Sequence, residues 1–151
     1  MGLLQEEKVK ASRRVVETLL KDLETGVIQL PCPELLYEGL DRKPASRNSY
    51  DNPEFRRICQ EIADQAVKLV MKYELEGVRV VAYLGVEGSP SCGVEWTHFI
   101  KDKPEKGKGI FADILCKSMS DAGIRIVFLG LPEKEKYGSI EELLKKLEAL
   151  R

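Results

Sequence analysis

The sequence predicts an α/β fold: a three-layer, helix–sheet–helix domain with a small, mainly parallel sheet. Three observations carry that expectation. Apolar runs rich in β-branched residues alternate with stretches of helical periodicity along the 151 residues. The strongest run, Val78 to Val86, is apolar at nearly every position, as in a strand covered on both faces. Strands separated by helices pair in parallel, with crossovers that lay the helices over the sheet.

The elements follow in order. Glu6 to Leu23 reads as a first helix, with Val15, Val16, Leu19, Leu20 and Leu23 at helical spacing and Gly26 as its stop. Val27-Ile28-Gln29-Leu30 is a short strand ended by Pro31, and a polar loop runs from Tyr37 to Asp51. Asn52 and Pro53 give an N-cap and a first-turn proline to a second helix. That helix repeats Phe55, Ile58, Ile62, Ala66, Leu69 and Val70, and Gly77 ends it. After the Val78 to Val86 strand, Gly88 to Lys108 is a loop long enough to be functional. A third helix runs from Gly109 to Ala122, and Ile124 to Leu129 is a third strand. Ser139-Ile140-Glu141-Glu142 is a capping box for a last helix carrying Leu143, Leu144, Leu147 and Leu150.

Composition sets the bounds. A chain of this length is expected to form one domain over residues 1–151, and 43% hydrophobic with 32% charged residues supports a core with a well-solvated surface. A formal net charge of −1 implies no general affinity for nucleic acid or an anionic membrane. No apolar stretch approaches the roughly 20 residues that span a bilayer. Met1 to Lys10 is too polar for a signal peptide, so a cytoplasmic protein is expected. There the four cysteines stay reduced, which places metal or catalytic use ahead of disulfides.

In parallel sheets ligands bind beyond the carboxyl ends of the strands. That rule gathers Pro31 to Glu34, Glu87 to Gly93 and Gly130-Leu131-Pro132-Glu133, and puts Cys32, Cys92, Glu34, Ser89 and Ser91 in one pocket. Two thiols in loops at strand ends point to a metal or cluster site, or to a nucleophile. Neither forms a C-x-x-C pair, so a zinc knuckle is unsupported. Cys59 and Cys116 lie among apolar helix positions and read as small buried residues.

The pieces Cys32-Pro33-Glu34, Gly39-Leu40-Asp41-Arg42 and Ser89-Pro90-Ser91-Cys92-Gly93 resemble the thiouracil desulfidase family. The longer run Ile28 to Glu34, with Tyr37 and Gly39-Leu40, is similar to a related desulfidase branch. The resemblance implies a [4Fe-4S] cluster held by three cysteines, with one iron left to bind the sulfur of a thiolated nucleobase or other small thioamide. Water then replaces sulfide without net electron transfer. By motif position Glu34 is the carboxylate that activates water and Ser89 the hydroxyl that orients substrate or relays a proton. Cys32 and Cys92 are two of the three cluster ligands.

This chain departs from that pattern at its start, where the family carries a strand and its first cysteine. The third ligand then falls to Cys59, Cys116, a non-cysteine group or a partner chain, or no cluster binds. The open sheet edge left by a missing strand favours a homodimer. Two further readings stay open: a cluster-free small-molecule-binding protein on the same fold, and an enzyme using Cys92 as nucleophile.

Other side chains have two readings each. Glu87 and Glu133 either line the pocket or sit in solvated turns. Arg42 and Arg47 hold an anionic group or pair with Asp41, the surface reading being favoured. His98, the single histidine, serves proton transfer or is structural. Trp96 and Tyr50 stack on a flat heterocycle or cover the core edge. Gly107-Lys108-Gly109 offers an anion-friendly helix start but lacks the rest of a P-loop.

Overall fold

A computed structural model describes residues 13–151, so the expected helix start at Glu6 and the polar stretch Met1 to Lys10 lie outside the described residues. Helix α1 is described over residues 13–21. Then come α2 (Pro33–Glu38), α3 (Arg47–Tyr50), α4 (Pro53–Leu75), β1 (Ala82–Val86), β2 (Trp96–Ile100), β3 (Lys103–Lys106), α5 (Ile110–Asp121), β4 (Val127–Leu131) and α6 (Ile140–Glu148). The helix starts are set by local chemistry. The Asn52 side chain accepts the Phe55 N–H at 3.0 Å, and the Ser139 hydroxyl accepts the Glu142 N–H at 3.2 Å, as the caps predict.

Strands β1 and β4 pair in parallel, in register from Ala82 opposite Val127 to Val86 opposite Leu131. Their side chains alternate between two cores. Tyr83 and Phe128 face α4 and α5, where Phe55, Cys59, Ile62, Phe111 and Leu115 are buried. Ala82, Leu84, Val86, Leu129 and Leu131 face Val15 and Leu19 of α1 and Leu143 and Leu147 of α6. Helices thus cover both faces of a small parallel sheet, the predicted three-layer α/β arrangement.

Helices α2 and α3 are not among the expected elements: the stretch Tyr37 to Asp51, expected to be a polar loop, holds the end of α2 and all of α3, whose Ser46 cap accepts the Ser49 N–H. Further elements differ as well. Residues 24–32 form neither helix nor ladder, and Val27 and Ile28 are exposed, while Leu30 packs on the α4–α5 core. A four-residue apolar run closed by a proline has few donors for a sheet, and periodicity cannot separate it from a paired strand. The two predicted strands each pair later than their apolar runs begin, because the ladder starts only where Ala82 meets Val127. The Gly88 to Lys108 loop contains an antiparallel hairpin, β2–β3, turning at Asp102 with φ 62° and bulged between His98 and Ile100. Its Lys- and Pro-bearing second strand hid it from pattern reading.

Helix α2 is docked by aromatic packing. Tyr37 meets the Phe55 ring edge-on at 5.4 Å, and Tyr50 stacks on Phe55 at 4.6 Å. Tyr50 is buried and donates its hydroxyl to Glu38 at 2.9 Å, which resolves its two readings in favour of the core. No helix among the described residues is long and apolar enough to cross a membrane. Phe55 is fully buried at the junction of α2, α3 and α4. Phe55→Ala is expected to lower stability by about 3–5 kcal/mol in urea unfolding with an unchanged m-value.

Candidate functional site

Cys32 is the N-cap residue of α2, Pro33 its buried first residue, and Glu34 stands in the first turn. The proline ring pre-sets the first helical φ, so the Cys-Pro-Glu order turns the extended segment directly into a helix and aims both side chains the same way. Facing them is the loop after β1. Ser91 Oγ donates to Glu34 Oε1 at 2.5 Å and Ser89 Oγ donates to the same oxygen at 3.3 Å. Ser91 Oγ also lies 3.4 Å from Cys92 Sγ. Ser89 Oγ in turn accepts the Cys92 N–H at 3.0 Å and the Ser91 N–H at 3.3 Å. Cys32, Glu34, Ser89, Ser91 and Cys92 are therefore brought together, the last three beyond the end of β1 and the first two at the start of α2.

The loop is held tightly. Its carbonyls cap α5: Pro90 O accepts the Ile110 N–H at 3.1 Å, Ser91 O the Ala112 N–H at 3.0 Å, and Gly93 O the Gly109 N–H at 2.9 Å. The N–H groups of Gly107, Gly109, Ile110 and Ala112 at the expected anion-friendly helix start are thus taken by carbonyls of the protein itself. At Gly85 of β1 a side chain would run into the Cys92 carbonyl, so glycine lets the loop fold back over its own strand. Tyr83 adds a hydroxyl bond to Cys92 O at 3.4 Å.

Arg42 departs from its expected surface position. Its Nε donates to Glu34 Oε2 at 3.3 Å and its Nη2 lies 3.9 Å from Cys32 Sγ. It completes a polar site of one carboxylate, one guanidinium, two hydroxyls and two thiols. Arg47 instead ties α3 to the hairpin, donating to Lys108 O at 2.9 Å and lying over the Phe99 ring. His98 Nδ1 is 2.7 Å from Gly88 O, and Trp96 packs beside Tyr137 under Lys106. Glu87 is buried against main-chain N–H groups and does not sit in a solvated turn.

Two thiols, Cys92 and Cys59, are shifted upward. Burial pushes Cys92 up to about 11, against a lowering by the Ser91 hydroxyl, and the charges of Glu34 and Cys32 raise it further. Burial likewise pushes Cys59 up to about 12, with Cys92 the next cause. A nucleophilic cysteine needs the opposite shift. Among the described residues no three His, Cys, Asp or Glu side chains come together as ligands of one metal ion. Cys59 is fully buried in the α4–α5 core, and Cys116 is half-buried on α5. The described residues hold two thiols at the site where the resemblance implies three, and they do not by themselves seat a three-thiolate cluster.

A family described as "Putative 2-thiouracil desulfurase" matches residues 4–109. The chain belongs to that family. The match spans both site loops and every residue of the constellation. An uncharacterized protein of Methanocaldococcus jannaschii is 31% identical over 138 residues, covering 91% of this chain and 81% of that one. No solved structure matches. The family's name points to desulfuration.

Sequence reasoning undervalued Arg42 and missed Tyr83. The signal for Arg42 was its place eight residues after Glu34, just past a short helix. Tyr83 gave none, because an aromatic residue in a buried strand reads as core. The raised Cys92 thiol has a direct consequence. Its alkylation by iodoacetamide, followed by mass spectrometry, is expected to rise with pH toward about 11; a midpoint below the ordinary thiol value would contradict the burial described.

Proposed function

We propose that the protein removes sulfur hydrolytically from a small thiocarbonyl compound, a thiolated nucleobase or similar thioamide, at the Cys32–Glu34–Arg42–Ser89–Ser91–Cys92 site. The observation that carries this reading is the Glu34 carboxylate, which gathers both serine hydroxyls and Arg42 between two thiols in a family named for desulfuration.

The reaction converts C=S and water into C=O and hydrogen sulfide, with no electrons gained or lost. Glu34 takes a proton from water as the oxygen adds to the thiocarbonyl carbon. Ser89 and Ser91, both hydrogen-bonded to Glu34, orient that carboxylate and relay the proton. Protonated Glu34 then returns its proton through the serines to the sulfur, and the carbon–sulfur bond breaks to release hydrosulfide. The adduct's hydroxyl proton passes to Glu34 as the C=O forms, and from there to the released hydrosulfide, giving hydrogen sulfide. Arg42 supplies positive charge beside Cys32, where the departing anion is stabilised. Cys32 and Cys92 give the substrate sulfur soft, polarisable neighbours. Cys32 and Cys92 are the site thiols that would hold iron, and a bound cluster would supply a thiophilic Lewis acid for the substrate sulfur.

The test is sulfide release from 2-thiouracil and related thioamides, measured before and after anaerobic iron–sulfur reconstitution. Glu34→Gln is expected to slow release by about a hundredfold or more, and Ser91→Ala by about tenfold. No release by wild-type protein in either state, or full release by Glu34→Gln, would overturn the reading. Iron bound by wild type and lost in both Cys32→Ala and Cys92→Ala would add a cluster to the site; iron retained in both would place it elsewhere.

A further inference from the structure

Glu87 is the one buried carboxylate among the described residues, 4% exposed, and the proposed chemistry does not use it. It follows the last residue of β1, and its N–H extends the sheet by donating to Leu131 O at 3.0 Å. Its Oε1 accepts the N–H groups of Val94 and Glu95, both at 3.1 Å. Its Oε2 accepts the Trp96 N–H at 2.7 Å and the Glu95 N–H at 3.3 Å. Three successive peptide donors thus close on one carboxylate, a concave anion seat filled from within the chain.

The seat adjoins the site loop. Residues 94–96 directly follow Cys92-Gly93, and the two stretches are sewn together from the other side. Gly88 N–H donates to Trp96 O at 2.9 Å, Thr97 Oγ1 to Ser89 O at 3.0 Å, and Gly93 N–H to Ser89 O at 3.2 Å. Strand β4 leaves room for this carboxylate: a side chain at Gly130 would run into Glu87. Burial raises the Glu87 carboxyl above its usual value, while the three N–H groups pull it back. An apolar side chain would fill the space without that desolvation cost but would leave three peptide donors without an acceptor.

We infer that Glu87 is a positioning residue: by gathering the 94–96 N–H groups it fixes the Ser89–Gly93 loop, and so sets where Ser89, Ser91 and Cys92 stand against Glu34. It acts through that loop. The link to turnover rests on the desulfuration reading, whereas the link to loop geometry does not.

Glu87→Gln keeps the size of the side chain but offers an amide where Trp96 needs an acceptor. Gly130→Ala leaves Glu87 intact and displaces its carboxylate. Both variants are expected to lower kcat for sulfide release about a hundredfold with KM within about twofold. Both are also expected to speed iodoacetamide labelling of Cys92 about tenfold while Cys59 stays protected. Wild-type labelling of Cys92 in both variants would overturn the inference. Labelling of Cys59 in step with Cys92 would also overturn it, since Glu87 would then hold the whole core. If wild-type protein releases no sulfide, the desulfuration reading fails, and the Cys92 and Cys59 labelling still decides the role of Glu87.

Discussion

The loop between β1 and β2 belongs to no ladder over most of its length, so its peptide groups need partners from elsewhere. The protein meets that constraint from two sides. The carbonyls of Pro90, Ser91 and Gly93 take the first N–H groups of α5, and the Glu87 carboxylate takes the N–H groups of residues 94–96. A loop fixed in this way presents Ser89, Ser91 and Cys92 on a rigid support. The short hydrogen bond from Ser91 to Glu34 then joins it to α2. The candidate site is the place where an irregular loop and the first turn of α2 are locked to each other by side chains.

Much of this was legible beforehand because it rests on patterns that physics makes local. Helical spacing in Phe55, Ile62 and Val70 and the caps at Asn52 and Ser139 specify helices whatever surrounds them. The end of β1 places Ser89, Ser91 and Cys92 as parallel topology predicts, whereas Cys32 and Glu34 reach them on α2 and not at the end of a sheet strand. What stayed hidden depends on distant partners. Val27 to Leu30 has the composition of a strand but no neighbour in register. The β2–β3 hairpin carries Pro104 and three lysines at 101, 103 and 106, which disguise it as loop. Arg42 could be placed at the site only once α2 was known to end at Glu38.

The electrostatics of the site speak against Cys92 as a nucleophile. Cys92 is held as a neutral thiol by burial, with Glu34 and Cys32 adding to the effect. Arg42 is shared between Glu34 and the Cys32 sulfur, its side chain 30% exposed. A guanidinium in that position places positive charge between the carboxylate and the thiol. The same geometry explains why a carboxylate, two hydroxyls and two thiols occur so close together: each has a partner before substrate arrives, so little reorganisation is needed.

The central claim is that water supplies the oxygen that replaces sulfur. The most direct measurement is turnover of a thiolated base in heavy-oxygen water, with mass spectrometry of the product and a parallel count of sulfide. The account predicts one heavy oxygen in the product carbonyl and sulfide released in equal amount, with no reductant consumed. An unlabelled product, or sulfur recovered in an oxidised form, would contradict it.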